Sequence, residues 1–351
     1  MSTVSVMRPG VYASYTVTGG YTGGTQRMVG VIAASPTGEK GKCKVFTRLN
    51  DVFAEYGSDT EQSSMAALVK LLFLGRVGGV YCVCVGESPT QSDYEAAYAL
   101  LEETEIGALV CDAGTQGTII RLGELLMQSA GRLKERIGFF GVPQGEAPHG
   151  AARAVNCERV VLTAPAVTLE GGQTAGAAYL AAACCAAVLA QGDPAANLNL
   201  TQVEGNFGFP AEYSEEEITA LLSAGVTVLE QSGGKGEIIR ALTTKTAHNG
   251  APDLSLRELS TMRIIDDVVQ TVRALLKRQL RGAKNNAATR DALRTQTACE
   301  LSKKLAAGII DSYTPPLLYP KEGEPTVCVA EIGFAVVYGI HRIEILAHIS
   351  V

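Results

Sequence analysis

The sequence predicts an α/β protein in which strands and helices alternate through most of its length. A hydrophobic fraction of 46% and a formal net charge of -6 over 351 residues are typical of a soluble globular chain. Residues 80–85 are rich in β-branched and aromatic side chains and lie between glycines, as in a buried strand. Apolar residues at helical spacing lie between such runs, for example from Met65 to Leu72. Because parallel strands need crossover connections, this order predicts a parallel sheet flanked by helices.

The first residues predict a detached arm followed by a hinge. Val4 and Val6 alternate with polar residues, and residues 11–15 continue in an extended pattern after a Pro9-Gly10 break. The glycine-rich residues 18–25 predict flexible backbone between this arm and the first compact unit. In that unit the predicted elements are a strand at 28–33, a helix at 49–56, a helix from Met65 to about Gly75 and a strand at 80–85.

The middle of the chain repeats the alternation. Helices are predicted at 93–103, 119–133 and the alanine-rich 175–190, and strands at 108–111, 137–142 and 159–163. Residues 192–213 contain Pro, Asn and Gly and predict a loop excursion. Strands at 226–230 and 237–242 flank a Ser-Gly-Gly-Lys-Gly turn at 232–236, which indicates a hairpin.

After Leu256 the sequence predicts two long helices and then strands. One apolar stripe consists of Ile265, Val268, Val269, Val272, Leu275 and Leu276, and the other of Leu293, Thr297, Leu301 and Leu305. Four prolines between residues 315 and 325 predict a linker, followed by strands at 326–329, 334–340 and 343–351. The last strand alternates, with Ile343, Ile345, Ala347 and Ile349 on one face. We expect that face to be buried and the strand edge to serve an assembly, since a lone monomer would have to hide it.

These patterns predict a division of the chain into five parts. They are an N-terminal arm and hinge (1–24), an N-terminal domain (25–86), a central α/β domain (87–246), a C-terminal helical part (247–322), and C-terminal strands with an arm (323–351). The fold is thus α/β in the middle and α+β overall.

Motifs for catalysis or cofactor binding are missing from the sequence. Residues 171–176 approach a phosphate-binding loop, but Ala177 stands where its lysine is required. No Gly-x-Ser-x-Gly or His-Glu-x-x-His motif occurs, and there are four histidines. Cys82 and Cys84 share a strand face without a second pair, so we interpret them, like Cys184 and Cys185, as small buried apolar side chains. We therefore expect no catalytic residue, no metal and no cofactor.

Charge is distributed unevenly along the chain. Between Arg263 and Lys304 there are ten basic and four acidic residues, which gives this segment a net charge of +6. Because the whole chain has a net charge of -6, the other residues together carry -12. A run of this kind is usually a solvated helix face, and the alternative is docking onto an acidic partner. Mild overall acidity argues against nucleic acid as a partner. Nine cysteines, an odd number, and the lack of a signal-peptide pattern favour a reducing compartment, and no uncharged stretch reaches the length of a membrane span.

Several segments, taken in order, resemble the tail sheath proteins of contractile phages, R-type bacteriocins and defective prophages. They are Arg8-Pro9-Gly10-Val11-Tyr12, residues 65–85 with Gly78-Gly79, residues 240–246, the Arg-Ile-Ile-Asp-Asp-Val run at 263–268, Asn285-Asn286 and the strand-rich C-terminal region. The likeness extends over nearly the whole chain. The chain departs from the pattern of this family in two respects. It has no tryptophan before residues 240–246, and it lacks large surface insertions.

The resemblance implies a structural role without catalysis. It implies a central domain of subtilisin-like fold and two arms that pair with strands of adjacent copies in stacked hexameric rings of a helical polymer. The arm residues would be Val4, Val6, Val11, Tyr12, Ile343, Ile345, Ala347 and Ile349. Implied partners are an inner tail tube protein, a baseplate and a tail terminator, with assembly in the bacterial cytoplasm and no insertion into a membrane. For the tube-facing surface we select Arg273, Lys277, Arg278, Arg281 and Lys284.

Two other classes of function share parts of this pattern. An α/β enzyme of hydrolase or nucleotide-binding type would share the alternation of strands and helices, and would need a pocket of convergent polar groups. A scaffold that binds by strand addition without polymerising would share the arms, so only its state of assembly would distinguish it.

Overall fold

A mixed β-sheet is the centre of the fold. The structure is a computed structural model, and it describes residues 28–57, 64–168, 174–209, 213–280 and 283–348. The strands are β1 (Met28–Ala33), β2 (Cys43–Phe46), β3 (Val80–Cys84), β4 (Ile106–Cys111), β5 (Ile137–Gly141), β6 (Val160–Ala164), β7 (Val167–Thr168), β8 (Thr174–Ala175), β9 (Thr201–Val203), β10 (Val226–Ser232), β11 (Lys235–Arg240), β12 (Ala247–His248), β13 (Ala251–Pro252), β14 (Ile310–Lys321) and β15 (Glu324–Val336).

The helices are mostly crossover connections between these strands. They are α1 (Leu49–Tyr56), α2 (Ser64–Leu74), α3 (Gln91–Glu102), α4 (Gln116–Gly131), α5 (Pro148–Val155), α6 (Ala178–Ala190), α7 (Glu215–Ser223), α8 (Leu259–Gln279) and α9 (Ala287–Ala306). Thr115 and Ser214 cap α4 and α7 with their side-chain oxygens, which explains why these helices begin where they do.

Nine strands form one sheet in the order β2-β3-β1-β4-β5-β6-β10-β11-β9. The six strands from β3 to β10 are parallel. At the two ends of the sheet the pairs β2–β3, β10–β11 and β11–β9 are antiparallel, so β2 and β11 run against the parallel strands and β9 runs with them. The parallel strands are continuous apolar runs because both of their faces are covered. Helices α1, α2 and α6 pack on one face, and α3, α4, α5 and α7 pack on the other. The expected parallel sheet with flanking helices is confirmed.

Most predicted elements of the central region are confirmed to within a few residues. The predicted strand at 80–85 is β3, and the alanine-rich helix is α6, whose buried residues include Leu180 and Cys184. The expected loop at 192–213 was wrong in part, because β9 lies within it and extends the sheet beyond β11. Strand β2 and helices α5 and α7 were not predicted.

Helix α6 lies against the carboxyl end of β5 at a backbone contact that only glycine permits. A Cβ atom on Gly141 would lie 2.1 Å from the Ala178 nitrogen and 2.3 Å from the Ala177 carbonyl carbon. We expect Gly141→Ala to lower the free energy of unfolding by about 1–3 kcal/mol, since overpacking forces backbone shifts. Gly150→Ala, on α5 with no atom near its added Cβ, is the matched control. Equal urea midpoints for both variants would contradict this contact.

A second, smaller core holds the C-terminal elements together. Helices α8 and α9 pack with the two-stranded sheet β14–β15 around Ile264, Val268, Val272, Leu301 and Ile310. The predicted proline-rich linker was wrong, because Pro315, Pro316 and Pro320 lie within strand β14. The predicted strand at 334–340 ends at Val336 as part of β15. The boundary predicted at residue 323 therefore falls inside a hairpin.

Candidate assembly surfaces

The β14–β15 ribbon presents both of its outer edges. Among the described residues, each of its strands pairs only with the other. Ile310 and Pro316 are buried, and Ile310 belongs to the C-terminal core, whereas Leu317 and Tyr319 are exposed. Unpaired N–H and C=O groups along such an edge are a template for a further strand.

The two edges differ in their content of proline. Strand β14 carries three prolines, and its register shifts between Thr314 and Leu317 where two of them lie. Proline lacks the N–H group that a ladder requires, so β14 offers an interrupted edge. Strand β15 has no proline from Thr326 to its end at Val336. The Asn285 side chain donates to the Pro325 and Val327 carbonyls at the start of β15, so the better edge for a joining strand is the part of β15 after Val327.

The segment that follows β15 has no partner strand within the described part of the chain. Residues 337–348 form no helix or strand, and residues 340–348 are exposed. Ile343 is 77% exposed and Ile345 87%, and Ala347 is exposed as well. The face expected to be buried is thus uncovered in the single chain. Residues 343–348 of the expected strand form no strand there, and residues 349–351 lie outside the described part of the chain.

The remaining predicted arm residues lie outside the described part of the chain. These are Val4, Val6, Val11, Tyr12 and Ile349, and the glycine-rich residues 18–25 lie outside it too. The roles assigned to them stay predictions.

The basic residues chosen on and after α8 differ in their surroundings. Lys277, Arg278 and Lys284 are exposed, and Arg281 lies outside the described residues. Arg273 donates to both carboxylate oxygens of Glu135, at 3.1 Å for one of them, and so joins α8 to the turn before β5. Burial alone would raise the pKa of Glu135, but hydrogen bonds from Arg273 hold this pKa below its usual value. Arg273 is therefore engaged within the chain.

A buried ion pair joins the C-terminal helices to the central sheet. Arg159, next to β6, donates from its two terminal nitrogens to the two carboxylate oxygens of Asp266 on α8, both at 2.9 Å. The exposed fractions of the two side chains are 8% and 4%. This bidentate geometry explains why an aspartate lies in the apolar stripe of α8 and gives the Arg-Ile-Ile-Asp-Asp-Val run a structural role.

A side chain of the protein itself lies where a doubly wound sheet usually holds a ligand. Connections leave β1 and β4 on opposite faces, so a crevice is expected between their carboxyl ends. Asp112 fills it, because its carboxylate accepts from the Ala34 backbone at 2.7 Å, from the Tyr94 hydroxyl at 2.8 Å and from Ser64. Burial raises the pKa of Asp112, and these three donors oppose that rise.

The cysteines interpreted as buried apolar side chains are buried. Cys82, Cys84, Cys184 and Cys185 are each at most 1% exposed, and burial raises the pKa of Cys184 to about 12. Within the described ranges, no three His, Cys, Asp or Glu side chains are grouped as metal ligands would be. In the same ranges, no helix is long and apolar enough to span a bilayer.

The described part of the chain thus combines a helix-covered α/β sheet with a two-stranded ribbon and an exposed segment that follows it. Known proteins resemble this chain both in sequence and in fold. Residues 87–244 match the sequence model of the phage tail sheath protein central domain. No curated protein sequence gives a match.

Solved sheath structures share the fold. A sheath tail protein from Desulfitobacterium hafniense has a TM-score of 0.68 at 12% identity, over 93% of this chain and 100% of that chain. A chain of the anti-feeding prophage sheath in the contracted state has 0.71 at 16%, over 99% of each. A chain of the contracted PVC sheath complex, from an extracellular contractile injection system, has 0.72 at 14%, over 99% of each.

The chain thus shares its fold with the solved contractile sheath proteins. In sequence, residues 87–244, somewhat less than half of the chain, match the central domain of phage tail sheath proteins.

Proposed function

We propose that this protein is the structural subunit of a contractile tail sheath, which polymerises around an inner tube and contracts to drive that tube through a target envelope. The observation that carries the proposal is the exposed segment 341–348, which joins no strand among the described residues and follows a two-stranded ribbon. A sheath central domain in the same chain supports it. Contraction would be a change between two packings of rigid bodies, with the longer form metastable.

In this proposal the arms of one copy complete the ribbon of another. Residues 343–351 and the N-terminal residues Val4, Val6, Val11 and Tyr12 are the donors, and the β14–β15 ribbon is the acceptor, with β15 offering its proline-free edge. A joined strand of about six residues adds several backbone hydrogen bonds at about 1 kcal/mol net each. Burial of the isoleucine face adds about 25 cal/mol per Å². Links of this kind persist while the bodies rotate.

The partners follow from the same proposal. The chain would contact further copies of itself in stacked hexameric rings, an inner tube protein, a baseplate and a tail terminator, after assembly in the bacterial cytoplasm. A non-enzymatic role fits the crevice between β1 and β4, which Asp112 occupies. Negative-stain microscopy of the purified protein at raised concentration tests the proposal. Long hollow tubes are expected, and a monodisperse monomer at every concentration would contradict polymerisation.

The exposed basic residues at the end of α8 are the proposed contact with an acidic tube. Reversal of Lys277, Arg278 and Lys284 to glutamate is expected to reduce loading of extended sheath onto the tube by tenfold or more, since like charges then face each other. Co-assembly with tube protein followed by electron microscopy measures the loading. Reversal of the exposed Arg48, Arg76 and Arg153 on other surfaces is the matched control. Equal loading by both triple variants would refute this assignment.

A further inference from the structure

We propose that Asn197 is a positioning residue for the C-terminal arm, which it holds at Ile340 so that the arm pivots directly after that residue. The inference rests on the proposed function in one respect only, namely that the arm pairs with a neighbouring copy. The pivot does not lie in the proline-rich stretch at 315–325, for which the sequence predicted a linker, because that stretch belongs to the paired strands β14 and β15.

A hydrogen bond joins the arm to the body. The Asn197 side-chain amide donates to the Ile340 carbonyl at 2.8 Å. Gly339 makes the approach possible, because a Cβ atom there would lie 2.9 Å from both the Asn197 Cγ and Oδ1 atoms. Past this point, residues 341–348 are exposed and form no regular structure. The last fixed point of the described chain is therefore the Asn197–Ile340 contact.

Asn197 is itself held in place by the loop between α6 and β9. Its Oδ1 atom accepts from the Asn199 backbone at 3.1 Å, and Leu198 anchors the loop with 3% exposure. Earlier in the loop, the Asp193 carboxylate accepts from the Ala195 backbone at 2.9 Å, and Ala195 packs against the C-terminal core. These contacts hold the Asn197 amide in position to donate to the Ile340 carbonyl, and this hydrogen bond sets the direction in which the arm leaves the body.

One substitution separates the two roles of this side chain. Asn197→Asp keeps the oxygen that accepts from Asn199 but removes the donor to Ile340. In the unassembled protein we expect trypsin to cleave after Arg342 about three- to tenfold faster than in the wild type, because Gly339 and Ile340 must leave the body to enter the protease. Mass spectrometry follows the loss of residues 343–351. Thermal unfolding should be unchanged, which a merely structural role would not predict.

Asn199→Asp is the matched control, because it adds the same charge two residues away and retains the backbone donor. Cleavage at equal rates in the wild type and both variants would overturn the proposal. Gly339→Ala should reproduce the faster cleavage by displacing Asn197, and combining it with Asn197→Asp should add nothing further. Since these measurements need no assembly, faster cleavage in a protein that never forms tubes would leave the pivot intact and refute the sheath function.

Discussion

Asp266→Ala is expected to lower the free energy of unfolding by about 3–5 kcal/mol. The substitution leaves the Arg159 guanidinium buried without its carboxylate, and an uncompensated buried charge is far more costly than the net contribution of the intact pair. Arg159 is 8% exposed, and both terminal nitrogens point at Asp266. Urea unfolding of the unassembled protein measures the change.

Asp267→Ala is the matched control for this effect. Asp267 is next in sequence and pairs with Lys304, but its side chain is 28% exposed and that of Lys304 18%, so we expect a loss of at most about 1 kcal/mol. The double variant Arg159→Met with Asp266→Leu should recover most of the stability, since apolar side chains of similar volume replace both charges. Similar losses for Asp266→Ala and Asp267→Ala would show that the pair is not the joint between helices and sheet.

The parallel core could be predicted from the sequence because its strands are continuous apolar runs between glycines, as at residues 80–85. The helix α8 was predicted as an element, but its buried face was only partly predicted. Ile265 and Val269 of the predicted stripe are half-buried, whereas Thr261 and Asp266 are buried. Hydrophobic periodicity assigns an aspartate to solvent, and only the position of Arg159, which is distant in sequence, reverses that assignment.

Strand β14 could not be predicted because proline is normally evidence against a strand. It forms at an open edge and with an irregular register, where missing N–H groups leave few partners unsatisfied. Strands β2 and β9 are short and antiparallel, and their pairing depends on neighbours far along the chain. The role of Arg273 could not be predicted for the same reason, because its partner Glu135 lies 138 residues away in the sequence.

The uncovered segment 340–348 yields the prediction with the largest effect on assembly. Deletion of residues 343–351 is expected to abolish tube formation while leaving the unfolding midpoint of the unassembled protein unchanged. Residues 343–348 are exposed and make no strand contact within the described chain, so the fold does not depend on them. A sheath held together by this strand would lose its main-chain ladder and the burial of Ile343 and Ile345.

A point substitution sharpens the same test. Ile345→Pro removes one backbone N–H group and the apolar side chain from the middle of the arm, so it should reduce tube formation at least tenfold. Glu344→Gln changes the adjacent residue on the opposite face without touching the backbone donor, and should assemble as the wild type does. Negative-stain microscopy counts tubes, and calorimetry of the unassembled proteins controls for folding. Normal tubes from the deletion variant would refute the proposal that this arm joins neighbouring copies.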